Sequence, residues 1–250
     1  MIGELIAAIS FLTRLPVGQG WTFTPKDVGR AMRWFPVVGV VLGAIYVVVA
    51  RLLVPVFPSL VTAVILVCVD ASITGGMHFD GLADTADGFG GGRTREDVLR
   101  IMRDHAIGAY GAIALIVAIA LKIETTSALI DSGRGIFFLG LAPVLGRWSA
   151  VLLSATQSYA RPPGEEGGKS VGAAARFVGR GELIVATVIA GSVAAVYVWR
   201  GAAAFVLVAA ASAWWGWRCR RRIGGVTGDT LGAGVEISEC LVLLCLTALR

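Results

Sequence analysis

Hydrophobic positions run along this chain in long blocks rather than in alternation, and polar residues gather between the blocks. A helix needs about 20 residues to cross a bilayer. Seven blocks approach that length: Phe35 to Val56, Ser59 to Gly75, Ile107 to Ile130, Gly135 to Thr156, Glu182 to Trp199, Gly201 to Trp217 and Leu231 to Leu249. The pattern predicts an all-α, polytopic integral membrane protein with about seven transmembrane helices, in a range of about six to eight. Little more than Arg200 and Gly201 separates the fifth block from the sixth, which predicts a tight helical hairpin. Arg51 and Lys122 lie near block ends, where long basic side chains can snorkel to the headgroups, leaving Arg147 as the one charge placed awkwardly. The opening MIGELIAAISFLTRLP has no basic start and no small-residue cleavage site, and its apolar part is too short to span; it reads as a short interfacial helix.

Composition sharpens this picture. Of 250 residues, 56% are hydrophobic and 16% charged, where soluble domains carry about 25% charged residues. An ordinary soluble globular protein is excluded. Neither an internal repeat nor a low-complexity linker divides the chain, so residues 1–250 read as a single membrane-embedded domain. Cys68, Cys219, Cys240 and Cys245 form no C-x-x-C pair and no zinc spacing, and read as reduced packing residues.

The net charge of +5 carries an orientation signal. Arg14, Lys26, Arg30 and Arg33 precede the first block; Arg93, Arg95, Arg100 and Arg103 lie between the second and third. Arg161, Lys169, Arg176 and Arg180 follow the fourth; Arg218, Arg220, Arg221 and Arg222 follow the sixth. These four groups of four fall in alternate loops and hold 16 of the 22 basic residues. By the positive-inside rule the N-terminus is cytoplasmic and the C-terminus external. The positive excess is thereby accounted for without a nucleic-acid partner. Trp34, Trp199, Trp214, Trp215 and Trp217 fall at block ends, as an aromatic belt would place them. The run RCRRR at 218–222 reads as a topology determinant or an anionic-lipid contact.

The densest chemistry is TGGMHFDGLADTADGFGGGRTREDVLRIMRDHAIGAYG, between the second and third blocks. Gly75 and Gly76 on one side and 90–92 on the other bracket a short helix from Phe79 to Phe89. Within it Asp80, Asp84 and Asp87 are spaced i, i+4, i+7, so all three carboxylates share one face. Their mutual repulsion calls for a cation, and an all-oxygen ligand set selects Mg²⁺, with Mn²⁺ as substitute, over zinc. His78 precedes the set as ligand, general base or interfacial residue, and Asp104 follows it at the mouth of the third block. A second acidic group, GGVTGDTLGAGVEISE, puts Asp229, Glu236 and Glu239 on one face leading into the last block. Carboxylates there need a metal or a partner such as Arg147. Asp70 is a further intramembrane acid. Gly168, Lys169 and Ser170 echo the end of a phosphate-binding loop, but Pro163 takes the first glycine position and no strand precedes it. A P-loop is rejected, while Lys169 remains a candidate phosphate contact.

Taken together, FLTRLP, FPVVGVVLG, GGMHFDGLADTADGFGGG, IMRDHAIGAYG and GGVTGDTLGAGVEISE resemble the cobalamin synthase family, the adenosylcobinamide-GDP ribazoletransferases, in order and spacing from about Phe11 to Glu239. The resemblance implies an Mg²⁺-dependent enzyme of the cell inner membrane with its active site facing the cytoplasm. Such an enzyme joins adenosylcobinamide-GDP to α-ribazole or its 5′-phosphate and releases GMP. It implies metal binding by Asp80, Asp84 and Asp87, proton transfer by His78 or Asp104, and substrate contacts from Arg93, Arg95, Arg103, Lys169, Asp229, Glu236 and Glu239. The expected partners are these small molecules and the lipid bilayer, and a homo-oligomer is compatible with the sequence. His105 stands where family members commonly have Ser, so that position carries no assignment. Two other readings compete: a CDP-alcohol-type membrane phosphotransferase, whose D-G-x-x-A-R run is absent, and a cation-coupled transporter, suggested by Asp70, Arg147, Glu236 and Glu239.

Overall fold

The computed structural model describes residues 2–133, 135–161 and 174–249. Eleven α-helices are found among them: α1 (Ile2–Leu12), α2 (Pro25–Ala31), α3 (Phe35–Leu53), α4 (Ser59–Thr74), α5 (Met77–Gly91), α6 (Arg95–Ile101), α7 (Ala109–Asp131), α8 (Leu141–Thr156), α9 (Arg180–Val196), α10 (Val198–Ile223) and α11 (Gly228–Ala248). Short 3-10 turns lead into α3 and α8. The chain is all-α, with an isolated bridge between Tyr159 and Val226.

Five helical segments are long and apolar enough to cross a bilayer: Pro25–Leu53, α7, Gly135–Thr156, α10 and α11. The count rises to six if α4 and α5 form one bent span. The seven blocks of the sequence exceed this because two of the helices are short. With 16 residues in α4 and 17 in α9, each reaches only about 25 Å at about 1.5 Å per residue, against roughly 30 Å of hydrocarbon.

The segments ending in α8 and α11 form the centre: 72% and 67% of their apolar windows are buried, against 33% for α7 and 28% for α10, which lie outside them. Helix α8 meets α3 through small residues. A side chain at Gly39 would press on the Pro143 carbonyl and one at Gly43 on the Gly140 carbonyl, each oxygen 2.5 Å from the added carbon. In lipid, where apolar surface alone gives helices little reason to associate, such close backbone approach supplies the packing attraction.

Three expectations change. Lys122 does not snorkel: it lies within α7, is 4% exposed, and turns inward to carboxylates of neighbouring helices. The hairpin between α9 and α10 turns at Tyr197 and Val198, where Val198 takes a positive φ of 54°. Arg200 therefore sits inside α10 and donates to the Leu249 carbonyl at 2.6 Å. Trp199, Trp214 and Trp217 are exposed as a belt requires, but Trp215 turns inward, donating to the Thr230 carbonyl at 2.9 Å and packing on Phe89.

Candidate active site

Helix α5 owes its direction to the glycine pair before it. Gly75 and Gly76 take φ of 70° and 69°, a left-handed conformation that side chains resist. They swing α5 through 91° from α4. The FLTRLP segment braces this corner, with the Arg14 N–H donating to the Ile73 carbonyl at 2.6 Å and its guanidinium lying against Gly75. The helix extends two residues beyond Phe79–Phe89 at each end.

The aspartate face runs from the surface into the protein: Asp80 is exposed, Asp84 half-buried and Asp87 buried. Asp87 spends its carboxylate on the start of α7, accepting from the Gly108 N–H at 2.7 Å and the Gly111 N–H at 2.9 Å. The first turn of a helix leaves such donors unpaired and carries partial positive charge. Side chains at Gly108 or Gly111 would collide with this carboxylate. Those two glycines at the head of an apolar run were the sequence signal for the contact.

Helix α11 lies directly against α5. The Asp229 carbonyl would be 2.7 Å from a side-chain carbon added at Gly81, and the Cα of His78 3.4 Å from one added at Gly232. Asp229, capped by the Thr227 turn, pairs with Arg161 at 3.2 Å. His78 is buried at 4% exposure. Asp104 is exposed and accepts from the Ala106 N–H at 3.1 Å, a local turn. Arg93 and Arg103 are exposed and flank α6, which packs on Gly88 and Gly92 at the far end of α5 from Asp80. Arg95 ties α6 to its surroundings by donating to the Ile223 carbonyl at 2.9 Å and the Ala160 carbonyl at 2.6 Å. Arg222, read from the sequence only as part of a basic run, donates to the carbonyls of Phe89 and Gly92 at 2.6 and 2.9 Å and so closes the end of α5. Lys169 lies outside the described residues.

Glu236 and Glu239 do not share a site with Asp229. About two turns deeper along α11, they join Asp70 from α4, Lys122 from α7 and Arg147 from α8 in a buried ionic cluster. The Lys122 ammonium is 2.7 Å from Glu236, 2.7 Å from Glu239 and 3.1 Å from Asp70. Arg147, 1% exposed, pairs with Glu239 and lies 3.9 Å from Asp70. The Tyr46 hydroxyl donates to Asp70 at 2.6 Å. The three carboxylates each present an oxygen within 4.8 Å of the others, so the cluster could hold a divalent cation; among the described residues it is the one group of three or more that does so. Here Lys122 already bonds to all three.

A small cavity of about 50 Å³ opens beside His78. Its walls come from four of the five segments that carried the family resemblance, through Phe11, Phe35, Met77, Gly228 and Leu231 among others.

This is a polytopic helical membrane protein with an acidic helix bent across the end of an apolar span. The chain matches the family model described as cobalamin-5-phosphate synthase over residues 4–247, and it belongs to that family. It is 40% identical over 238 residues to the adenosylcobinamide-GDP ribazoletransferase of Syntrophobacter fumaroxidans, covering 94% of each chain. Proteins with the same name from Desulfitobacterium hafniense and Klebsiella pneumoniae are 33% and 38% identical, over 96% and 98% of this chain and 95% and 100% of theirs. No solved structure matches the chain.

Proposed function

We propose that this chain is an adenosylcobinamide-GDP ribazoletransferase. A ribose hydroxyl of α-ribazole, or of its 5′-phosphate, attacks the phosphorus joined to cobinamide; the new P–O bond forms as the bond to GMP breaks. The observation that carries the proposal is the exposed end of the aspartate helix, held across the acidic start of α11.

Asp80 and Asp84 are the Mg²⁺ ligands of this reading, with Mn²⁺ as substitute. Two carboxylates completed by substrate phosphate oxygens are a usual Mg²⁺ arrangement. When bound, the ion neutralises charge on the diphosphate. Asp87, expected as a third ligand, has both oxygens on backbone N–H groups, and its contribution is to fix α5 on α7. Arg93, Arg103 and Lys169 bind the diphosphate of the GDP moiety. Asp104, at the exposed rim, or the buried His78 takes the proton of the attacking hydroxyl. Arg95 and Asp229 support these groups from behind through their carbonyl and Arg161 contacts.

The topology belongs to the same proposal: a single domain, seven helices entering the bilayer with α4 and α9 as the short ones, and the N-terminus and aspartate helix facing the cytoplasm at the inner membrane. The four basic loop groups support that orientation. The intramembrane charges that suggested a transporter find partners in one another, so they need no translocated ion.

Purified protein in detergent, given adenosylcobinamide-GDP, α-ribazole and Mg²⁺, should release GMP and form the cobamide, and EDTA should stop it. Absence of product with both Mg²⁺ and Mn²⁺ would refute the proposal. Asp84→Asn should keep its elution profile and lose turnover by about 100-fold or more, the scale of several kcal/mol of lost charge stabilisation.

A further inference from the structure

We propose that the end of α10 is a binding site for the headgroup of an anionic phospholipid. The inference rests on the geometry of one helix and is independent of the transferase reading.

Helix α10 is longer than a bilayer needs. Its 26 residues extend about 39 Å, against roughly 30 Å of hydrocarbon. Tryptophans mark where the membrane lies along it. Trp199 is exposed at its start, and Trp214 and Trp217 are exposed toward its end. Trp199 and Trp217 stand about 27 Å apart along the axis, close to the hydrocarbon thickness, as an aromatic belt at each interface requires. The turn after Trp217 therefore lies at headgroup level.

That turn is the run RCRRR at 218–222, and the structure divides it. Arg222 reaches inward to the carbonyls of Phe89 and Gly92, and Cys219 is buried, whereas Arg218 and Arg221 are exposed. At about 100° per residue, Trp214, Trp217, Arg218 and Arg221 fall within one arc of about 100°. Ser212, Gly216, Cys219 and Ile223 form the buried side opposite. The Arg221 guanidinium lies over the Trp217 ring at 5.0 Å. A topology signal needs only positive charge in the loop. It requires neither arginines in line with tryptophans nor a guanidinium seated on an indole.

The chemistry of this face selects the ligand. Arg218 and Arg221 are one turn apart, with Cβ atoms about 5–6 Å from each other, so their charges repel unless an anion lies between them. Guanidinium forks match phosphate oxygens. Beside the charges, the exposed stripe continues through Trp214, Ala210 and Val206 toward the middle of the helix, an apolar track for an acyl chain. A free phosphate ion gains nothing from that track, while a phospholipid joins both parts. A choline headgroup would bring its own cation to the two arginines, so net negative charge is favoured. At the other end of α10, Arg200 already donates to the Leu249 carbonyl. The lipid-facing turn is also tied to the aspartate helix, because Trp215 packs on Phe89 at 5.7 Å between ring centres.

Native mass spectrometry of the full-length protein in neutral detergent, offered equal amounts of phosphatidylglycerol and phosphatidylcholine, tests the proposal. Wild type should retain phosphatidylglycerol preferentially. Arg218→Gln combined with Arg221→Gln should lower that preference at least about fivefold, the scale of one arginine at a membrane surface, while Arg220→Gln, outside the arc, should keep most of it. Equal retention of the two lipids by wild type overturns the proposal. So does an undiminished preference in the double variant, or an equal loss in Arg220→Gln. Inorganic phosphate, at ionic strength matched with chloride, should leave the preference intact; if phosphate abolishes it, the ligand is the free ion and the lipid site is refuted. A photoactivatable phosphatidylglycerol on the wild-type protein needs no variant to fold. It should mark peptides containing Trp214 or Trp217, and labelling confined to other helices would overturn the site.

Discussion

Replacing Lys122 by Met removes a cation from the centre of the membrane domain while nearly conserving side-chain volume. The ammonium stands 2.7, 2.7 and 3.1 Å from three carboxylates. At an effective dielectric of about 20, each contact represents about 5–6 kcal/mol of gross Coulomb attraction. Dehydration of the ions cancels most of it, and the loss of one partner from a buried pair costs about 3–5 kcal/mol net. In Lys122→Met, Arg147 alone faces Asp70, Glu236 and Glu239, so the cluster's net charge moves from one negative to two. At about 2–4 °C per kcal/mol for a chain of this size, the midpoint of thermal unfolding in detergent near neutral pH should fall by roughly 6–20 °C. Lys122→Met combined with Glu236→Gln restores the original net charge and should recover more than half of the loss. Unfolding followed by tryptophan fluorescence, with size-exclusion profiles as control, reads both effects. A single variant within about 2 °C of wild type, or a double variant no better than the single, would show that the cluster is not held by charge balance.

Asp87→Ala removes two charge-assisted hydrogen bonds between α5 and α7 and should lower stability by about 2–4 kcal/mol, while Asp87→Asn, which keeps an acceptor, should lose less; equal losses would refute the assignment. Gly81→Val forces a carbon to within 2.7 Å of the Asp229 carbonyl and should cost about 1–3 kcal/mol by overpacking. Gly232→Ala, whose added carbon meets nothing nearer than 3.4 Å, should unfold close to wild type. Hydrogen bonds from Thr94 hold the Asp97 carboxyl below the usual carboxylate range. The cap of α6 is therefore fully present above the unfolded value of about 3.9 and is lost as pH falls through the lower native value. Amide exchange in α6, compared between wild type and Asp97→Asn across that acid range, should differ above it and converge below.

The aspartate helix was legible because its signals are local. A glycine pair, a glycine run and carboxylates at helical spacing all lie within one stretch of chain, and α5 formed where they placed it. The helical, membrane-embedded character followed from block length in the same way. What escaped depends on contacts distant in sequence. Lys122 looked like a snorkelling residue because hydropathy along one helix does not show which neighbours face it; its carboxylates come from α4 and α11. Asp87 shared a face with Asp80 and Asp84, but its partners lie 21 and 24 residues further along. Glu236 and Glu239 share a face with Asp229, yet depth along α11 separates them into a buried ionic cluster and a rim contact with Arg161. Arg95 and Arg222 act through backbone carbonyls, which leave no trace in residue identity.

The corner at Gly75 and Gly76 has a further meaning for depth. Were α5 a straight continuation of α4, Asp80 and Asp87 would lie about 10 Å apart along the α4 axis, a length of roughly a third of a bilayer's hydrocarbon thickness. A turn of 91° converts that interval into a sideways displacement. The acidic side chains then lie at nearly the same level along the α4 axis. What differs among them is how far each is covered: Asp80 is exposed, Asp84 half-buried, and Asp87 buried against the amides that begin α7.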